Sequence, residues 1–102
     1  MRLHYSLAEI LKTDRFAEWF DALRDERARA RIQARIDRLS DGNAGDVAPV
    51  GGGVSEMRID CGSGYRVYFK KHGRELVILL AGGNKRTQSA DIAAAIVLAR
   101  NL

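Results

Sequence analysis

The chain has 102 residues, 46% of them hydrophobic, which suits one domain with one core and is too short for a cofactor domain plus a substrate domain. A single cysteine, Cys61, excludes an internal disulfide framework and a multi-cysteine zinc site. The apolar runs fall far short of the roughly 20 residues of a membrane span, and charges interrupt the N-terminal stretch where a secretory signal needs an apolar core, so a cytoplasmic protein is expected. The net charge is +4, and its distribution is uneven. Residues 1–53 carry nine Lys/Arg and nine Asp/Glu, whereas residues 54–102 carry eight and four. A basic C-terminal half favours a polyanionic partner such as RNA, DNA or an acidic protein, although mild basicity is also common in small proteins with no such partner.

In chain order, residues 3–11 suit a first strand. Thr13 or Asp14 can cap a helix on which Phe16, Trp19, Phe20 and Leu23 recur at i, i+3, i+4, i+7 spacing. The helical pattern continues with Ala28, Ile32, Ile36 and Leu39 inward, and the charge cluster around Asp25 and Glu26 is the expected break between the two arms of a helical hairpin. Gly42 and Asn43 end it, since both tolerate left-handed backbone. Residues 40–53, glycine-rich and holding the sole proline, read as a loop. The periodicity then changes to about two, which predicts strands over 54–60, 65–71 and 75–81 joined by turns short enough for hairpins. The last of these is apolar on both faces and should be the most buried. A loop over 82–90 and a helix from Asp91 with Ile92, Ile96 and Ala99 inward complete the chain. This order predicts an α+β domain: an N-terminal strand, a helical hairpin, a three-stranded antiparallel meander completing a small twisted sheet, and a C-terminal helix. The helices should lie on one face, leaving the other to solvent or a binding partner.

Strand alternation groups the polar residues. Met57 and Ile59 share one side of their strand, and Glu56, Arg58 and Asp60 the other. In the next strand Arg66, Tyr68 and Lys70 share a side, and Lys85 and Arg86 follow the last strand. If the hairpin register joins these sides, one sheet face carries a cationic patch with an aromatic in it. Such arginines could hold a phosphate by paired hydrogen bonds while the tyrosine stacks on a base. The competing reading is a solvated face on which Arg58 pairs with Glu56 or Asp60. Elsewhere the signals are weaker. His4 and His72 read as surface residues, Cys61 as a bystander thiol and Trp19 as core. Arg24, Arg27, Arg31, Arg35 and Arg38 fall near one helical side, a solvated face or a further contribution to polyanion affinity.

The ordered combination of "RIDRLSDGNAGDVAPVGGGVSEMRIDCGSGYRVYF" and "LLAGGNKRTQSADIAAA" resembles the RelE/ParE superfamily of toxin–antitoxin killer proteins, and within it the short HigB-like, phage-derived addiction module killer proteins. The resemblance runs from about Phe16 to the C-terminus. It implies the same fold order and, for the RelE and HigB branches, a ribosome-dependent mRNA endoribonuclease (an mRNA interferase) that works without a metal or cofactor. Its partners would be mRNA on the ribosome and a cognate antitoxin, often a helix-turn-helix protein, with which it forms a hetero-oligomer. The resemblance maps the arginine of the "GYR" motif onto Arg66, the basic residue of the preceding strand onto Arg58, and the basic residue after the last strand onto Lys85, with Arg86 beside it. Tyr68, Lys70 and Arg86 are then expected to bind RNA. These branches often place a proton-transferring Tyr or His near the C-terminus. Here neither type follows His72, and Asp91 stands near the expected place as a lower-ranked alternative to Lys85. That departure keeps a second expectation open, a ParE-like protein that inhibits DNA gyrase without enzymatic activity, and a third, a degenerate non-toxic member.

Overall fold

The computed structural model describes residues 7–102. Along them run β1 (Glu9–Lys12), α1 (Asp14–Ala22), α2 (Glu26–Ser40), β2 (Val47–Gly51), β3 (Val54–Ile59), β4 (Tyr65–His72), β5 (Leu76–Asn84), a 3-10 turn (Lys85–Thr87) and α3 (Gln88–Arg100). The start of the expected first strand, and His4, lie outside the described residues. The strands form one mixed sheet in the order β1-β5-β4-β3-β2, antiparallel from β2 to β5, with β1 parallel to β5 at the far edge.

The helical hairpin forms where the caps place it. The Thr13 hydroxyl accepts a hydrogen bond from the Phe16 N–H at 3.1 Å and donates to the Leu80 carbonyl at 2.7 Å, so it starts α1 and fastens it to the sheet. The Asp25 carboxylate accepts from the Ala28 N–H at 3.1 Å and restarts the helix as α2. Phe16 packs between Trp19 and Phe20, with ring centroids at 5.7 and 5.9 Å. α2 buries Ala28, Ile32, Ile36 and Leu39. The core on this side is completed by Met57, Ile59, Val67, Phe69, Val77 and Leu79 from the sheet.

The helices do not share one face. α3 covers part of the opposite side, where Ala95 and Ala99 pack on Val54, Tyr68, Ile78, Leu80 and Ala81 in a second core. Small side chains let this helix approach the sheet closely. α3 also begins three residues earlier than expected, and its fully buried positions are Asp91, Ala95 and Ala99, while Ile92 and Ile96 are only half-buried at its flanks.

Two further expectations are corrected. The segment 40–53 contains a strand, β2, which makes the meander four-stranded. β2 is a sheet edge with one neighbour, and an edge tolerates Pro49 because a proline needs no ladder partner on its open side. β5 also continues through Gly82 and Gly83 to Asn84. Its register against β4 shifts between Tyr68↔Ala81 and Phe69↔Leu79, so Leu80 is an extra residue. This bulge sends both Leu80 and Ala81 to the α3 side. Beyond it, Gly82 lies under the Trp19 indole and Gly83 under the Asp91 carboxylate, each too close for a β-carbon. Glycine in this strand therefore serves close approach and does not end the element. Gly82→Ala is expected to displace Trp19 and cost about 1–3 kcal/mol by overpacking, read as a lower Tm and a shifted Trp19 emission spectrum.

Candidate functional site

The β3–β4 register sets Arg58 opposite Arg66 and Glu56 opposite Tyr68. All four side chains lie on the α3 side of the sheet, as alternation from Val54 and Tyr68 requires. Glu56 is the hub. It is buried, at 2% relative exposure. Its Oε1 accepts from Arg66 Nε at 3.0 Å, from the Tyr68 hydroxyl at 3.3 Å and from Gln88 Nε2, at the start of α3, at 2.7 Å. Its Oε2 accepts from Arg58 Nε at 3.2 Å. A buried carboxylate without such donors would be strongly unfavourable, and with them it is a rigid anchor.

The use of Nε has a geometric consequence. Arg66, with a side chain 12% exposed, is gripped at its inner nitrogen, and its two terminal amino groups have no partner among the described residues. Arg58 is more open, at 44%, and its Nη1 also meets Asp46 Oδ1 at 3.2 Å. Lys85 comes from the 3-10 turn, which Asn84 holds in place. The Asn84 side-chain oxygen accepts from the Arg86 and Thr87 N–H groups at 2.9 and 3.3 Å, and the Thr87 hydroxyl accepts from the Asn84 N–H. Arg58, Arg66 and Lys85 line one cleft of about 300 Å³, together with Asp46, Asp60 and the Gly62–Gly64 turn. At Gly64 the turn needs a φ of +88°, which glycine adopts without strain, and the turn lies beside both Lys85 and Arg66. The result is a cleft lined by three cations and by the Asp46 and Asp60 carboxylates, in which the terminal amino groups of Arg66 have no protein partner among the described residues and can receive a phosphate.

Other expected site residues lie elsewhere. Tyr68 is fully buried and offers no ring face to a base. Burial pushes its hydroxyl well above the ordinary phenol range, and the Glu56 and Asp91 carboxylates push the same way against Arg66, so it stays protonated as a donor to Glu56. Tyr68 therefore positions Glu56. The neutral phenol is favoured only in the folded protein, so its contribution to stability is complete below about pH 10 and is lost as the pH rises beyond that. Tyr68→Phe is expected to lose less stability than the wild type between about pH 10 and 12, measured by urea unfolding at each pH.

Asp91 is not in the cationic cleft. Its carboxylate accepts from the Thr87 hydroxyl at 2.5 Å, pairs with Arg15 at 3.6 Å and lines a separate cleft with Trp19 and Asn84. Lys70 shares the face but lies beside Gly53 at the other end of β4, with Tyr68 between it and Arg66. Arg86 stands exposed beside Lys85. The solvated-face reading also has substance, since Arg58 does pair with Glu56, while Asp60 accepts at its carbonyl from Arg31 instead. The residue that the alternation argument undervalued is Glu56. Its signal was present: a carboxylate in phase with Val54 on a strand whose neighbour supplies an arginine and a tyrosine.

Residues 18–102, which hold every residue of this cleft, match the family model of phage-derived proteins like Gp49 (DUF891). An uncharacterized protein of Haemophilus influenzae is 50% identical over 94 residues, covering 92% of this chain and 95% of that protein. The chain belongs to the phage-derived Gp49-like family.

Proposed function

We propose that this protein is the toxin of a toxin–antitoxin module and cleaves mRNA on the ribosome, with the Arg58–Arg66–Lys85 cleft holding the scissile phosphate. Gp49-like proteins are associated with toxin and addiction modules, which supports the module, and the sequence resemblance to the RelE/ParE superfamily supports the reaction. The observation that carries the reading is the buried Glu56, which orients two arginines by their Nε atoms toward a cleft that Lys85 closes. An exposed salt-bridged face needs no such anchor.

In this reading the 2′-OH of the substrate attacks the adjacent phosphorus. The 2′-O–P bond forms, the P–O5′ bond breaks, and the products are a 2′,3′-cyclic phosphate and a 5′-OH. Arg66 and Arg58 stabilise the charge that grows on the non-bridging oxygens, a contribution on the order of 3 kcal/mol per donor. Lys85 donates a proton to the leaving 5′-oxygen. Of the two carboxylates that line the cleft, Asp46 and Asp60, we assign Asp46, which lies beside Arg58, as the acceptor of the 2′-OH proton, in place of the C-terminal Tyr or His that this chain lacks. A cognate antitoxin silences the toxin by covering its working surface.

Primer extension on mRNA in a purified translation reaction tests this. New 5′ ends inside the reading frame that require ribosomes and Arg66 are the expected result. Intact mRNA from a protein that still arrests growth would overturn it. The second reading, a non-enzymatic inhibitor of DNA gyrase, is favoured by one observation: Asp91 is committed to Thr87 and Arg15, so no C-terminal group is free for proton transfer. DNA breaks with intact mRNA would decide for it.

A further inference from the structure

A second cationic feature adjoins the cleft. Between α2 and the end of β3 runs a groove of about 680 Å³ walled by Arg27, Arg31, Arg35 and Arg38 and floored by Ala30 and Ala34. It meets the phosphate cleft at Ile59 and Asp60, which line both. Arg27, Arg31 and Arg35 recur every four residues, so their stems rise along α2 in steps of about 6 Å. Two of these arginines are tied to the strand that carries Arg58. Arg31 Nη1 donates to the Asp60 carbonyl at 3.2 Å. Arg35 donates to the carbonyls of Arg58 at 2.6 Å and Ala44 at 3.1 Å. Their charge is thus held at fixed positions relative to the cleft. Arg27 and Arg38 make no side-chain hydrogen bond or ion pair among the described residues, and their charge is free for a ligand.

We propose that this groove binds the sugar–phosphate backbone of single-stranded RNA next to the cleaved phosphate, so that the strand runs along α2 before reaching Arg58 and Arg66. The inference rests on the RNA-cleavage reading above. A repeating row of cations fits a polymer with one negative charge per nucleotide. The alanine floor has no polar atom with which to read a base, so the contact is independent of sequence. An acidic peptide is the poorer fit, because peptide recognition draws on pockets for large apolar anchors, and here the apolar lining is two alanines and an Ile59 already buried in the core. Asp60 is the one carboxylate in the lining, and it stands at the junction with the cleft, where Arg31, Arg58 and Arg66 outnumber it.

The test uses the full chain and a fluorescein-labelled 15-nucleotide RNA, 2′-O-methylated throughout so that it has no attacking hydroxyl. Fluorescence anisotropy is followed over a salt series. Arg27→Ala/Arg38→Ala is compared with Arg74→Ala/Arg100→Ala, which removes equal charge outside the groove. Losing two phosphate contacts is expected to lower the salt slope by about 1.4 and weaken binding about 25-fold at 0.1 M salt, with the control pair close to wild type. Equal affinity and slope for the two double variants would overturn the proposal. So would a hexaglutamate peptide that depends on Arg27 and Arg38 while RNA binding does not. If Arg66-dependent mRNA cleavage is seen but the groove variant binds normally, the groove fails and the nuclease reading stands. If groove-dependent binding is seen while mRNA stays intact in translation, the groove stands and the nuclease reading fails.

Discussion

Arg66→Ala is expected to slow mRNA cleavage in the translation reaction by roughly 10²–10³-fold, the loss typical of removing one donor from a developing oxyanion. Most of the loss should fall in kcat. The terminal amino groups of Arg66 face the cleft, and their interaction strengthens only as negative charge builds on the phosphate. Arg66→Lys should recover little. A lysine has one nitrogen, which can either meet Glu56 or face the phosphate, whereas arginine meets Glu56 through Nε and keeps its fork for the ligand. The fold should survive in both variants, because Glu56 Oε1 keeps its bonds from Gln88 and Tyr68. Circular dichroism checks this alongside the rates. Unchanged cleavage by Arg66→Ala would reduce the arginine to a structural partner of Glu56 and remove the main support for the proposed site.

Glu56→Ala should have the largest effect on stability. It strips the acceptor from four donors at once, two of them guanidinium nitrogens, and leaves Tyr68 buried with an unsatisfied hydroxyl. The cost falls on the buried Tyr68 hydroxyl and the mostly buried Arg66 guanidinium, while Arg58, 44% exposed and still paired with Asp46, loses little. Leaving those two donors unsatisfied costs about 2 kcal/mol, which for a chain of this size lowers Tm by on the order of 10 °C. Glu56→Gln separates positioning from folding. It keeps the shape and one acceptor oxygen, so most of the stability should remain. It also turns an amide NH₂ toward an arginine and releases that guanidinium from its orientation. Cleavage should then fall at least tenfold while thermal melting shows a protein still folded at the assay temperature. Full activity in Glu56→Gln would mean that the arginines find their places without the carboxylate.

Much of this arrangement is legible in the residues themselves. The α1 and α2 stripes follow from apolar side chains three and four apart, and the caps at Thr13 and Asp25 are short polar residues just ahead of those stripes. The common side of Arg58 and Arg66 follows from strand alternation plus a tight hairpin, because the turn sets the register. β2 was hidden because Pro49 and the surrounding glycines are loop signals unless the strand is known to be an edge. Gly82 and Gly83 hid the end of β5 for a different reason: they serve the close approach of Trp19 and Asp91, which no neighbouring residue signals. Tyr68 alternates with Arg66 and Lys70, yet it is buried and they are not, since α3 covers the middle of that face.

Local patterning along the chain therefore specifies the order of most elements, the inward faces of α1 and α2, and the shared side of the two arginines. Each depends on spacing within a few residues or across one short turn. Long-range packing sets α3 opposite the hairpin, places Glu56 between Arg58 and Arg66 while Asp91 lies in a separate cleft, and opens the row of arginines on α2 beside the cationic cleft. These outcomes join residues about 30 positions apart, such as Glu56 with Gln88 and Arg31 with Asp60. A local pattern does not encode that distance. It emerges only when the Leu80 bulge, the close approach over Gly82 and Gly83, and the docking of α3 are satisfied together.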